Sequence, residues 1–330
     1  MKALIYGITG QDGAYLAEFL LEKGYEVWGV SRDSAVADLS KLERLGISKS
    51  VGLTSANLND FRSVLSSLMT VDPDEIYNLA GQSSVALSFE QPVEAVESIT
   101  IGILNLLESI RFSGKDVKLY NASSSECFGN LRNERATEET LFRPHSPYGV
   151  AKAAAHWEVV TYREAYKLFA CNGILFNHES PLRPERFVTK KILGAVARIA
   201  KGSNEKIRLG DMQIVRDWGW APEYVRGMWK ILQQREAGDF VLATGESHSL
   251  AEFVDYAFGC MGLDPGRHIQ EDPTLVRPRE VRFSYADPSR AMKVLNWRAT
   301  KKMRDVIDLM LAHEIGNDLG IGDATAVVTS

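Results

Sequence analysis

Tyr148 and Lys152 stand in a Tyr-x-x-x-Lys spacing, one turn apart on one face of a helix. An ammonium beside a phenol favours the phenolate, so Tyr148 is expected to accept a proton near neutral pH. Upstream lies the run Ser123-Ser124-Ser125-Glu126. A hydroxyl from that run can sit beside the same substrate oxygen. Together these groups make an alcohol-oxidising site, provided a hydride acceptor binds nearby. Glu126 adds a carboxylate that oxidation alone does not require.

The acceptor is signalled at the N-terminus. Residues 2–6 read as a buried strand, 14–23 as a helix, and Gly7-Ile8-Thr9-Gly10-Gln11-Asp12-Gly13 joins them. Such a strand–turn–helix brings backbone N–H groups to a dinucleotide pyrophosphate. The second strand, 26–30, ends in Ser31-Arg32. An acidic residue there would hold the ribose of NAD. Arg32 instead suits a 2′-phosphate, so NADP is expected in preference to NAD. Asn57 follows a short strand at 50–53, where its amide can reach adenine. The strand at 75–80 ends in Leu79-Ala80-Gly81, small enough for close approach of the cofactor. Gln82-Ser83-Ser84 either line a sugar pocket or shape the loop. Residues 92–110 carry Val93, Val96, Ile99, Ile103, Leu107 and Ile110 at helical period. The strand at 118–122 delivers the serine run at its C-terminal end, where doubly wound sheets bind ligands. A helix at 148–167 and a strand at 170–176 complete the alternation. The fold class expected is α/β, a doubly wound parallel sheet of Rossmann type with a smaller C-terminal α/β substrate domain.

The texture changes after residue 176. A polar loop, Asn177-His178-Glu179-Ser180-Pro181, precedes a helix at 187–201. The basic residues Lys190, Lys191, Arg208, Arg216, Arg277, Arg279 and Arg282 can converge on a diphosphate, with Arg216 and Arg279 foremost. Residues 239–245 are expected to rejoin the sheet. Ser249 and Glu252 form a capping box for a helix at 249–261. The tail from Gly320 reads as frayed. The dinucleotide-binding domain is expected over 1–176, rejoined by about 213–246 and 284–300. The substrate domain then takes 177–212, 247–283 and 301–330.

The chain has 330 residues, a formal net charge of -5 and three cysteines with no disulfide or metal-ligand spacing. No metal, nucleic-acid or membrane partner is expected from this balance. Met1 leads directly into an apolar strand, so a cytoplasmic setting is expected.

These motifs resemble the extended short-chain dehydrogenase/reductase superfamily over nearly the whole chain. Within it the sequence is similar to the GDP-mannose 4,6-dehydratase family. The likeness rests on the glycine turn, Asn78-Leu79-Ala80 with Gln82-Ser83, Ser88-Phe89-Glu90-Gln91-Pro92, Ser125-Glu126, the run from Asn172 to Pro181, and Arg216-Asp217-Trp218-Gly219. The resemblance implies catalytic roles for Ser124, Glu126, Tyr148 and Lys152. It implies a cofactor site of Gly7, Thr9, Gly10, Gln11, Asp12, Gly13, Arg32, Asn57, Leu58, Leu79, Ala80, Gln82, Tyr148, Lys152, His178 and Arg183. Ser83, Ser84, Glu126, Asn177, Lys191, Arg216 and Arg279 fall to a nucleotide-diphosphate sugar. The chain departs from the family at Phe128, where Tyr is frequent, at Trp220, where His is usual, and in the loop 33–39. The first two are expected to bear on sugar recognition. His145 reads as a structural loop residue.

The implied reaction is internal redox with loss of water. Tyr148 takes the C4 hydroxyl proton, Lys152 holds the phenolate and Ser124 bonds the C4 oxygen. Glu126 serves as base at C5 and acid to the C6 hydroxyl. The alternatives are a nucleotide-sugar epimerase, which needs no Glu126, and a decarboxylase, which the Asn177–Pro181 block disfavours. Self-association as dimer or tetramer is expected, through the outer faces of the helices at 92–110 and 148–167.

Overall fold

The computed structural model describes residues 1–132 and 134–316. The expected tail from Gly320 lies outside them. The first half alternates β1 (Lys2–Tyr6), α1 (Gln11–Glu22), β2 (Glu26–Ser31), α2 (Ser40–Arg44), β3 (Gly52–Ser55), α3 (Phe61–Val71) and β4 (Glu75–Asn78). It continues through α4 (Val85–Glu90), α5 (Pro92–Val96), α6 (Gly102–Ser113), β5 (Lys118–Ser124), α7 (Pro147–Tyr166) and β6 (Ala170–Leu175). The second half adds β7 (Asn177–Glu179), α8 (Val188–Ala200), β8 (Ile207–Leu209), β9 (Val215–Arg216), β10 (Trp218–Trp220), α9 (Ala221–Leu232) and β11 (Asp239–Leu242). It ends with β12 (His248–Ser249), α10 (Leu250–Cys260), β13 (Ile269–Glu271), α11 (Ser289–Val294) and α12 (Met303–Glu314).

A seven-stranded sheet of order β11-β6-β5-β4-β1-β2-β3 is parallel throughout. Its strands are apolar on both faces because helices cover both. One core packs Ala14, Leu16 and Leu20 of α1 against Val225, Met228 and Leu232 of α9. The opposite core packs α3, α6 and α7. A third joins α8, α10 and α12 around Trp218, Phe253 and Phe258. Residues 239–242 do rejoin the sheet, as its edge strand beside β6.

Several boundaries differ from expectation, among them the start of α1 at Gln11 and the end of β4 at Asn78. β3 starts later than 50, because register with β2 sets Trp28 opposite Gly52 and Ser31 opposite Ser55. β5 runs on to Ser124, since pairing with β6 continues to Leu175. The helix expected at 92–110 is interrupted by a π-helical segment at Glu97–Ile101. There Ser98 Oγ donates to the Glu94 carbonyl at 2.6 Å and accepts from Gln82 N at 3.2 Å. The wide turn thus ties this helix to the loop after β4. Helices α2, α4, α9, α11 and α12 carried no expectation. Among the described residues no helix is long and apolar enough to cross a membrane.

Candidate active site

The glycine turn joins β1 to α1 and admits no side chain. A Cβ on Gly7, whose φ is +86°, would lie 2.9 Å from the Leu79 carbonyl oxygen and the Ala80 nitrogen. A Cβ on Gly13 would lie 2.2 Å from the Gly7 carbonyl oxygen. The turn therefore packs tightly against the end of β4 and the start of α1, the close packing that a dinucleotide-binding turn needs. Next to it, Asp12 Oδ2 meets His178 Nε2 at 2.8 Å, and Gln11 Nε2 donates to the His178 carbonyl at 3.2 Å. Burial pushes the Asp12 carboxyl up, but His178 outweighs it and holds the carboxyl below its usual range. Burial likewise opposes charge on His178, and Asp12 overcomes it and raises the imidazole. The other ring nitrogen of His178 meets the Phe176 carbonyl at 2.7 Å. Its imidazole therefore fastens β7 to the glycine turn, with no ring nitrogen left to hold a cofactor.

The adenosine end shows a residue that sequence reasoning missed. Lys41 of α2 donates to the Thr9 carbonyl at 3.0 Å. No motif marks it, because a short helix folded back over the turn brings it there. Arg32 is exposed at the end of β2. Asn57 Oδ1 accepts from Asn59 N at 3.1 Å in a local turn, leaving only its amide nitrogen for a ligand. Leu58 packs into the core of α3 and α6, and its carbonyl accepts from Asn105.

A cavity of about 410 Å³ opens beyond the turn. Of the expected cofactor residues, Asp12, Leu79, Ala80, Gln82, Tyr148, Lys152, His178 and Arg183 line it. Gly7, Thr9, Gly10, Gln11, Gly13, Arg32, Asn57 and Leu58 do not. Ser124, Glu126, Tyr148 and Lys152, the set expected to be catalytic, also line it. Ser124 Oγ accepts from Glu126 N at 3.2 Å, which turns the chain at the end of β5 and leaves Glu126 in the cavity lining. Ser146 caps α7 by accepting from Gly149 N at 3.0 Å, with Pro147 in the first turn. That cap sets Tyr148 in the same lining. Burial acts most strongly on Tyr148, Arg216 and His145, and the Glu126 charge adds a smaller upward push on each.

The expected low phenol pKa is not what this wall provides. Burial raises Tyr148 well above its usual value, and the neighbouring Ser124 hydroxyl only partly offsets this. Lys152 Nζ donates instead to the Ala122 carbonyl at 2.7 Å and lies 5.9 Å from the Tyr148 ring centre. Burial also lowers the ammonium to about 8. Exclusion of water dominates both groups.

Part of the lining is basic. Arg183, Arg186, Lys191, Arg208, Arg216 and Arg277 line it, with Asn177 at the start of β7. Lys191 Nζ donates to the Arg208 carbonyl at 2.7 Å. Arg216 and Arg277 share Glu280 Oε1 at 3.1 and 3.2 Å. Arg183 packs over the Phe187 ring at 3.7 Å and pairs with Glu179 at 3.1 Å. Arg279, expected here, is exposed and does not line the cavity. Arg277 and Glu280 do so in its place, since side chains two apart in Arg277-Pro278-Arg279 need not share a face outside a regular strand. Ser83 lines the pocket. Ser84 lines it too, but its hydroxyl caps α4 by accepting from Leu87 N at 3.3 Å, while Gln82 bonds both backbone groups of Ser84. Phe128 and Trp220 are 2% and 6% exposed, in cores away from the lining, so neither reaches a sugar. Among the described residues no cluster of three or more His, Cys, Asp or Glu has metal-holding geometry.

The sequence model of the GDP-mannose 4,6 dehydratase family matches residues 4–310. The chain belongs to that family. It is 45% identical over 323 residues to GDP-mannose 4,6 dehydratase 1 of Arabidopsis thaliana, covering 95% of this chain and 89% of the relative. Its fold is similar to that of UDP-glucose 4-epimerase from Thermus thermophilus in complex with NAD, with a TM-score of 0.83, 27% identity, and coverage of 96% and 99% of the two chains. RMD from Pseudomonas aeruginosa, complexed with NADPH, shares the fold at a TM-score of 0.78 and 20% identity, covering 96% and 99%. In this family member Ser124, Glu126, Tyr148 and Lys152 share one cavity lining with Lys191, Arg208, Arg216 and Arg277, and of the glycine turn Asp12 reaches it.

Proposed function

We propose that this chain acts as a lyase on GDP-mannose, removing water to give GDP-4-keto-6-deoxymannose. The observation that carries the reading is Glu126 in the same cavity lining as Ser124, Tyr148 and Lys152, together with several arginines. The tight glycine turn suits a dinucleotide, which Leu79, Ala80 and Lys152 would help to hold. When bound there, a nicotinamide dinucleotide accepts the hydride of carbon 4 and returns it to carbon 6. NADP is proposed over NAD, because Arg32 and Lys41 bring two cations to the adenosine end.

Arg216, Arg277 and Lys191 bind the diphosphate and fix the hexose beside the catalytic set. Tyr148 takes the C4 hydroxyl proton, and Lys152 and Ser124 hold the charge that forms on the oxygens. Once carbon 4 is a carbonyl, the carbon 5 hydrogen is acidic. Glu126 removes it and passes it to the departing C6 hydroxyl. An epimerase would have no use for that carboxylate. Domains follow the same logic: residues 1–176 with 213–246 and 284–300 carry the cofactor, and the remainder closes over the nucleotide sugar.

The test is purified protein with GDP-mannose and either NADP or NAD, followed by mass spectrometry. A product lighter by one water is expected, with higher turnover on NADP. Glu126→Gln should lower turnover by at least about 10²-fold, the usual share of an acid–base group. A Glu126→Gln protein dehydrating at the normal rate would refute the assignment.

A further inference from the structure

A carboxylate lines the cavity beside the turn proposed to hold a dinucleotide. Asp12 stands in the first turn of α1 and reaches that lining. A dinucleotide is anionic at its pyrophosphate, so an uncompensated carboxylate there would repel it. The bonds around Asp12 resolve the conflict. Its Oδ2 meets His178 Nε2 at 2.8 Å, and its Oδ1 accepts from Gln11 Nε2 at 3.0 Å. On the other side of the ring, His178 Nδ1 meets the Phe176 carbonyl at 2.7 Å. Gln11 braces the same junction: its Nε2 donates to the His178 carbonyl at 3.2 Å, and its Oε1 accepts from Ser180 Oγ at 2.8 Å.

Both partners of the His178 ring are acceptors. A carbonyl oxygen has no proton to give, and neither has an ionised carboxylate. A neutral imidazole carries one N–H and can serve only one of them. Either the ring holds two protons, or Asp12 is protonated and donates to Nε2. The second arrangement is disfavoured, because a proton shared by the pair prefers an imidazole, at about 6.5 when free, to a carboxyl, at about 3.9. The ring is buried and stacks on Tyr224 of α9, 4.6 Å between centroids at 19°, so its plane is fixed. Burial opposes charge on His178, and the bonds to Asp12 and Phe176 outweigh it. The other titratable groups acting on this pair are Arg183, from the loop after β7, and Lys152 of α7. Burial keeps the phenols of Tyr120 in β5 and Tyr224 in α9 neutral.

We infer that His178 is a positioning residue carried as an imidazolium: its two N–H groups bridge Phe176 and Asp12, pin the glycine turn to β7, and neutralise the one carboxylate of that turn so that a dinucleotide can bind. It acts on the cofactor only through Asp12. The inference rests on the dinucleotide reading of the glycine turn.

The ring is tested without any ligand. In protein labelled with 15N at histidine, both His178 ring nitrogens should be protonated at about pH 8, where a free imidazole is neutral. One unprotonated ring nitrogen at that pH overturns the inference. Asp12→Asn supplies the uncharged counterpart. Its Oδ1 still accepts from Gln11, and its Nδ2 can donate to an unprotonated Nε2, so the same bonds form with a neutral ring. NADP affinity, by quenching of tryptophan fluorescence, should separate the two proteins. From about pH 7 to about pH 10 the wild-type Kd should rise at least about 10-fold more than that of Asp12→Asn, the worth of one charge-assisted bond. Lys152, lowered to about 8 by burial, discharges in both proteins and cancels from the comparison. If the wild-type protein binds neither NADP nor NAD at any pH, the dinucleotide reading fails and takes this role with it. If it binds and the two curves run parallel, the role of His178 alone fails.

Discussion

Lys152 brings a charge into a wall that is 8% exposed, and the sole hydrogen bond found for its ammonium among the described residues is to the Ala122 carbonyl. Its folded pKa of about 8 lies below the 10.5 of a free lysine, so burial disfavours the charged form. Between those values the unfolded chain binds more protons, and stability should rise with pH. Below about pH 8 the buried charge is a net cost, offset in part by the bond to Ala122. Lys152→Met should therefore stabilise the fold at pH 7 by on the order of 2 kcal/mol while abolishing turnover. Urea midpoints at pH 7 and pH 10 would check this. The wild-type protein should gain on the variant as pH rises, and a variant that is less stable at pH 7 would show that packing, not charge, governs the site.

At the scale of the elements, the sheet is stitched by a polar ladder near the strand ends that carry the site. Asn78, Asn121, Asn172 and Asp239 lie in register across β4, β5, β6 and β11. Asn78 Nδ2 donates to Asn121 at 3.0 Å, Asn121 Nδ2 to Asn172 at 2.9 Å, and Asn172 Nδ2 to Asp239 at 3.0 Å. Arg163 of α7 closes the row with two bonds to Asp239 at 2.8 and 2.7 Å. The ladder fixes β5 and α7 relative to each other, and with them Ser124 and Tyr148. Asn121→Leu leaves Asn78 Nδ2 without its acceptor and Asn172 Oδ1 without its donor, and should cost about 2–4 kcal/mol by denaturant midpoint. A loss under about 1 kcal/mol would mean that backbone pairing alone sets the strand ends.

For the whole molecule, the outward face of the α5–α6 helix exposes Val93 and Ile101 at 67% and 39%, and α7 beside it exposes Val150 and Trp157 at 52% and 56%. Val150 and Trp157 are two turns apart on one stripe. Apolar groups set out this way on adjoining helices suit a second copy of the chain, and we propose a dimer formed through them. Light scattering on Val150→Glu with Trp157→Lys should give half the wild-type mass. An unchanged mass would place the contact elsewhere.

The sequence by itself determined the parallel sheet, the glycine turn and the Tyr–Lys–Ser–Glu wall. Each is written in short-range spacing: period two or buried runs for strands, one turn for Tyr148 and Lys152, adjacent residues for Ser124 and Glu126. It also suggested that basic residues could converge on a diphosphate, with Arg216 and Arg279 foremost, but not which of them line the cavity. Arg277 and Arg279 are equivalent in the chain, and only the path of the loop exposes one and turns the other toward Arg216 and Glu280. The same holds for Lys41, brought to Thr9 by a helix folded back over the turn, and for Phe128 and Trp220, which tertiary packing withdrew into cores. The sign of the Tyr148 shift also belonged to the fold, because a spacing records which charges are neighbours and not how much water the assembled walls exclude.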